Sequence, residues 1–158
     1  MRSTTLCFLV KGQPVHSILL GWKKTGFGRA KYNGFGGKIE AGETIVQAAV
    51  RELREECGVC VTGEKLENVG RLEFIFPAEP EFDHDVHIFL ARIWQGEPQE
   101  TVEMRPCWFT ASDIPYKQMW ADDIYWLPKI LHGEKIAGTV VFQANNEDIA
   151  EVHIGRQS

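Results

Sequence analysis

The sequence predicts an α/β domain, and three observations carry that prediction. First, 158 residues, 44% of them hydrophobic and 25% charged, can close one sizeable core but are too few for two ordinary domains, so residues 1–158 are expected to form one unit. Second, short segments rich in branched and aromatic residues recur along the chain. Third, two segments instead carry a helical period, one strongly and one weakly.

In chain order, Thr4–Val10 and Val15–Trp22 are strand-like, with turn residues at Lys11–Pro14 between them. The strong helix is predicted from about Thr44 to Cys57. Its start has Thr44 followed three residues later by Gln47, the spacing of a capping box, and Gly58 stops it. At about 100° per residue, Val46, Ala49, Val50, Leu53 and Cys57 form an apolar stripe, Gln47, Arg51 and Arg54 share a second sector, and Glu52, Glu55 and Glu56 fill the third. Further strands are expected at Asn68–Phe76, Asp85–Trp94, Cys107–Thr110 and Gly138–Gln143, with turn signals at Pro77–Pro80 and Gly96–Pro98. The weaker helix runs from about Asp123 to His132, with Pro128 placed to bend or interrupt it.

Several functional classes are disfavoured at once. A formal charge of −5 is unsuited to a duplex-binding surface, so no nucleic-acid partner is expected, whereas a small polyanion held through metal ions is compatible. The apolar stretches Thr5–Val10 and Ile18–Leu20 are far shorter than the roughly 20 residues that span a bilayer, and the start of the chain does not read as a signal peptide. A soluble cytoplasmic monomer without a membrane partner is the simplest expectation. Cys7, Cys57, Cys60 and Cys107 lack the spacing of a disulfide framework, and the Cys57-x-x-Cys60 pair has no second pair to complete a zinc site, so free thiols are expected.

The carboxylates of the strong helix carry the chemistry. Like charges at i, i+3 and i+4 weaken an isolated helix, and a solvated acidic face is the usual explanation. Here, however, Asn33-Gly34-Phe35-Gly36-Gly37-Lys38-Ile39 leads directly into Glu40-Ala41-Gly42-Glu43, a glycine-dense loop able to bring backbone close to a ligand. An all-oxygen cluster suits a hard divalent cation, and Mg²⁺ characteristically joins carboxylates to substrate phosphates while keeping waters. With the cation bound, carboxylate and phosphate repulsion both fall and a coordinated water becomes a better nucleophile toward phosphorus. Other phosphate motifs fail: Ile39 stands where a P-loop needs Ser or Thr, and Gly26-Phe27-Gly28 lacks the third glycine of a dinucleotide fingerprint.

Gly37, Glu43, Arg51, Glu52, Leu53, Glu55, Glu56, Gly58 and Val59 fill every fixed place of the Nudix box, and the chain resembles the Nudix hydrolase family. That resemblance implies a three-layer α/β/α sandwich with a mixed β-sheet, in agreement with short strands interrupted by two helices. It implies that Glu52, Glu55 and Glu56 ligate metal or act as base, that Arg51 orients a carboxylate, and that Gly36, Gly37 and Glu103 add metal ligands, with Mg²⁺ the cofactor and Mn²⁺ tolerated. Glu103 also reads as a solvated loop acid.

Longer segments, Leu19–Gly28, Asn33–Lys38, Glu103–Phe109 and Gln118–Asp123, resemble the MutT-related branch that hydrolyses oxidised purine nucleoside triphosphates such as 8-oxo-dGTP and 2-hydroxy-dATP. By that resemblance Asn33, Asp122 and Asp123 read the base edge, Phe27, Phe74, Trp120 and Leu9 wall the pocket, and Lys23 meets phosphate. Aromatic faces stack any base, while Asn and Asp supply directed donors and acceptors. Two adjacent carboxyls could share a proton, one donating while the other accepts; alternatively either Asp caps the second helix. Phe8, Trp22 and His84 depart from the family pattern, Phe8 where it could crowd the base and His84 near a pocket-lining position. The other readings are a Nudix hydrolase for ADP-ribose or a dinucleoside polyphosphate, and a non-catalytic nucleotide sensor.

Overall fold

The computed structural model describes residues 1–157. Strands β1 (Arg2–Lys11) and β2 (Ser17–Lys23) form an antiparallel hairpin but pair only from Lys11↔Ser17 to Leu9↔Leu19. Beyond that point they diverge, and the glycine-rich segment fills the wedge. Within it, β3 (Tyr32–Asn33) pairs with β2 through Gly21↔Asn33, while Phe35 and Lys38 bridge to Cys7 and Thr4 of β1. The loop is thus stitched into the sheet on both sides.

The helix α1 (Ile45–Cys57) follows. Then come β4 (Leu66–Ile75), β5 (His84–Ala91), β6 (Met104–Thr110), α2 (Asp123–Leu131), β7 (Ile136–Phe142) and β8 (Ile149–Arg156). The main sheet runs β3-β2-β1-β5-β4-β7-β8, and β6 pairs with the other edge of β2. The β1–β5 and β4–β7 pairs are parallel and the rest antiparallel, so the sheet is mixed as expected.

Side chains alternate across β1, and each face has its own core. Cys7 and Leu9 pack with Leu19, Phe35, Ala49, Leu53 and Cys57 beneath α1, whereas Phe8 and Val10 pack with Ile88, Trp126, Leu127 and Ile130 beneath α2. A helix on each face makes the α/β/α sandwich. No helix among the described residues is long and apolar enough to cross a membrane.

The sequence reading located six strands and both helices to within a few residues, and missed two strands. β3 has only two residues, and β8 exposes Glu151, His153 and Arg156 at the sheet edge, diluting its apolar alternation. The apolar face of α1 also differs from the predicted stripe. Ala48 and Glu56 are buried, while Val46 and Val50 are only partly covered.

Candidate active site

The helix α1 is fixed at both ends by local chemistry. Thr44 Oγ1 accepts from the Gln47 amide at 3.1 Å and Gln47 Oε1 accepts from the Thr44 amide at 2.9 Å, the reciprocal box that the spacing predicts. Gly58 closes the helix in the left-handed region at φ 77°, and its N–H donates to the Arg54 carbonyl. Between these ends Arg51 is a hub: its guanidinium donates to Glu43 at 2.6 and 2.9 Å, to Glu52 at 2.7 Å, to Glu55 at 3.2 Å and to the Lys38 carbonyl at 3.0 Å. Arg51 therefore acts as a positioning residue that ties the loop to the carboxylate face.

The three helix glutamates are not equivalent. Glu56 is 3% exposed, whereas the Glu55 side chain is 57% exposed, so only the former is committed to the interior. Glu56 Oε1 accepts the Gly36 N–H at 2.8 Å. Burial pushes the Glu56 carboxyl up to about 8; the Gly36 N–H and the Lys23 charge oppose that rise, while Glu52 and Glu103 reinforce it. Glu52 is likewise raised by burial, with the Arg51 guanidinium working against it and Glu55 and Glu103 with it.

Glycine is required in the adjoining loop. A Cβ on Gly36 would lie 1.8 Å from the Thr5 carbonyl oxygen, and one on Gly37 would lie 2.7 Å from the Glu52 carboxylate. Either would push the loop off β1 or off the acidic face.

Among the described residues, no three His, Cys, Asp or Glu side chains already form a metal cage. The donor set nevertheless suits a hard cation: Glu52, Glu56 and Glu103 influence one another electrostatically, and burial leaves the first two short of positive charge. Gly36 offers its N–H to Glu56, and the Gly37 carbonyl already accepts the Thr5 amide at 2.9 Å, which leaves it one lone pair for a ligand.

From Glu56 and Lys23 a cavity of about 180 Å³ runs to Asn33, Asp122 and Asp123. Its aromatic wall includes Phe27, Phe74, Phe76, His84, Trp120 and Phe142. Phe27 lies 5.1 Å from Trp120 and Phe74 stacks on His84 at 5.3 Å. The side-chain NH₂ of Asn33 donates to the Lys31 carbonyl at 3.0 Å, leaving its oxygen as an acceptor.

The acid pair does not serve as a helix cap. Asp122 occupies the N-cap position with helical backbone angles and no side-chain cap bond; its Oδ2 accepts the Trp126 indole N–H at 2.7 Å instead, and its Oδ1 is buried without a partner among the described residues. Burial raises both carboxyls. Asp123 is raised well above the usual range, first by burial and then by the adjacent Asp122 charge, so the two carboxyls hold a proton between them.

The cavity thus brings together Lys23, Phe27, Asn33, Gly36, Gly37, Glu56, Phe74, Trp120, Asp122 and Asp123 from the sequence reading. Leu9 is a correction: it is fully buried under α1 and does not line the cavity. Phe8 is another. It packs beneath Gly34 and 6.2 Å from Trp126 and does not line the cavity, so it does not crowd the base space as its departure from the family pattern allowed. The residues of β1 that reach the cavity are Thr4, Thr5 and Leu6, because the hairpin begins at Lys11↔Ser17 and the cavity lies where β1 and β2 have parted. Glu103 is exposed in the bend immediately before β6, outside the lining but close enough to influence Glu52 and Glu56. Phe76, Met104, Trp126 and Phe142 were not assigned to the site from sequence; they are apolar strand and helix positions that look like ordinary core until the sheet is assembled.

The NUDIX domain family pattern matches residues 1–130 of the chain. The oxidized purine nucleoside triphosphate hydrolase of Danio rerio is 51% identical over 129 residues, 82% of this chain and 81% of its own. That of Mus musculus is 46% identical over 143 residues, 90% of each chain. The 8-oxo-dGTP diphosphatase of Escherichia coli is 45% identical over a shorter stretch of 67 residues, 40% of this chain and 45% of its own. A MutT protein from Bacillus halodurans superimposes with a TM-score of 0.84 over the whole of both chains at 22% identity, a likeness of fold.

Proposed function

The chain belongs to the NUDIX family, and from that membership we propose that it hydrolyses oxidised purine nucleoside triphosphates, 8-oxo-dGTP and 2-hydroxy-dATP, to the monophosphate and pyrophosphate, clearing them from the nucleotide pool. The observation that carries this reading is a single aromatic cavity with a buried carboxylate and a lysine at one end and a buried acid pair at the other. A phosphate chain and a base would lie along it. Residues 1–158 would act as one monomeric catalytic domain on a small-molecule nucleotide in the cytoplasm, in keeping with the net charge of −5.

Hydrolases of this family generally use divalent metals. Mg²⁺, replaceable by Mn²⁺, would neutralise the triphosphate and activate the attacking water. Glu52, Glu55, Glu56 and Glu103, with the carbonyls of Gly36 and Gly37, are the proposed ligands. Arg51 keeps Glu52 and Glu55 in place by its hydrogen bonds, and Lys23 meets phosphate charge. One helix carboxylate accepts the proton of the attacking water as its oxygen bonds to phosphorus and the anhydride bond breaks, with pyrophosphate leaving. At the other end Phe27, Phe74 and Trp120 stack the base. Asn33 contributes an acceptor, and the Asp122–Asp123 pair offers one donor and one acceptor to an altered purine edge.

The test is pyrophosphate release with Mg²⁺ from 8-oxo-dGTP, 2-hydroxy-dATP, dGTP, dATP and ADP-ribose, for wild type and Asp122→Asn. Wild type should prefer the oxidised purines, and Asp122→Asn should lose that preference with kcat/KM down on the order of 10²-fold. Equal rates on all nucleotides, or turnover of ADP-ribose alone, would keep the reaction class and discard the substrate.

A further inference from the structure

One member of the aromatic wall carries a polar atom that packing alone does not use. His84 opens β5, and its ring stacks on Phe74 at 5.3 Å with 26° between planes and lies 6.2 Å from Phe76 at 14°. Phe27 meets it edge-on at 6.2 Å and 87°. Its Nδ1 stands 2.7 Å from the Phe82 carbonyl oxygen. A carbonyl only accepts, so Nδ1 carries the proton, and in the neutral ring Nε2 presents a lone pair.

Burial disfavours the charged ring and lowers its pKa; Arg2 acts with burial, and the Phe82 carbonyl, Asp85 and Asp83 act against it. Nε2 has no hydrogen-bond partner among the described residues, and the ring borders the cavity. A phenyl ring would fill the same wall without an acceptor, whereas the imidazole adds one lone pair that no described residue uses.

We propose that His84 is a specificity-determining residue whose Nε2 accepts a hydrogen bond from an N–H group of the bound base. This rests on the reading of the cavity as a nucleobase site. His84 comes from β5, whereas Asn33 belongs to β3 and Asp122 and Asp123 to the start of α2, so the acceptor is a separate point of recognition on a separate element. A base with no N–H within its reach leaves Nε2 unmet and binds less well.

The test measures KM and kcat for wild type, His84→Met, His84→Leu and His84→Gln, using Mg²⁺ and whichever nucleotide of the panel above the wild type hydrolyses most efficiently. Thermal melts restrict the comparison to folded variants, and the two apolar replacements guard against one failing to fold. Met and Leu should raise KM about five- to tenfold with kcat within about twofold, the loss of one neutral hydrogen bond made in ground and transition states alike. Gln, whose Oε1 can stand in for Nε2, should recover most of that loss. Apolar variants with wild-type KM, or a Gln variant as impaired as they are, would overturn the assignment. Loss of the oxidised-purine preference in the wild type would instead remove the substrate reading, and the acceptor comparison would still decide His84 for the base actually used.

Discussion

Both ends of the cavity bury acid, but they compensate for it differently. At the α1 end, Glu52 and Glu56 come from one turn of helix, and their partners lie nearby in sequence: Arg51, which also binds Glu43 and the Lys38 carbonyl, and the Gly36 N–H. Burial still raises both carboxyls despite these partners, so the donor set suits a hard cation. At the base end, Asp122 and Asp123 have the Trp126 indole and each other, and the pair retains a proton. The same residue type thus meets two surroundings, one beside the Arg51 guanidinium and the Lys23 charge, the other beside an indole N–H and a second carboxyl, and burial raises the carboxyls in both.

The sharpest way to break that contrast is at α1 itself. Glu56→Gln keeps an oxygen for the Gly36 N–H but cannot ionise, so kcat should fall on the order of 10³-fold with no loss of melting temperature. Glu55→Gln, at an exposed position, should cost about tenfold. Steady-state kinetics on the two variants decide the point. Equal losses would mean that burial does not rank these carboxylates.

At the base end the contrast can be read in stability against pH. A carboxyl whose folded pKa is raised binds its proton more tightly in the folded state. Its contribution is fully present below the unfolded pKa of about 3.9 and is lost as pH rises toward the folded value. Asp123→Asn, which cannot titrate, should therefore melt at a temperature that declines less than wild type as pH rises above about 4, and should gain most over wild type at neutral pH. The same substitution should weaken oxidised-purine preference. A melting profile parallel to wild type would show that Asp123 holds no extra proton.

What the sequence revealed follows the same division. The α1 end was legible because its determinants are local: the capping box, the Gly58 stop, the glycine loop and the carboxylates sit within Asn33–Val59. The base end draws on β1, β3, β4, β5, α2 and β7, so it exists only after the sheet has formed. Asn33, Trp120 and the Asp pair were reachable through family resemblance, but Leu9 was misplaced by the same route. Position in a strand says nothing of where two strands part, and here the parting brings Thr4–Leu6 to the cavity instead. The burial of Glu56 was also hidden, because helical periodicity puts it with Glu52 and Glu55, and it is the loop wedged between β1 and β2 that covers it.

The smallest expected effect asks whether the two ends can be uncoupled. Thr44 lies at the far end of α1 from Glu56 and is exposed, and its side chain satisfies one backbone donor of the first helical turn. Thr44→Ala removes that acceptor and leaves the Gln47 half of the box, so stability should fall by about 1 kcal/mol, lowering the melting temperature by roughly 2–4 °C for a chain of this size. The Glu43–Arg51 hydrogen bonds and the Gly58 stop continue to fix the face that carries Glu52 and Glu56. Turnover should accordingly drop by less than about twofold, and preference among bases should not change. A selective loss of oxidised-purine preference in Thr44→Ala would show that α1 transmits strain through the Gly36–Gly37 loop and β1 to the base wall, and the two ends would have to be treated as one coupled site.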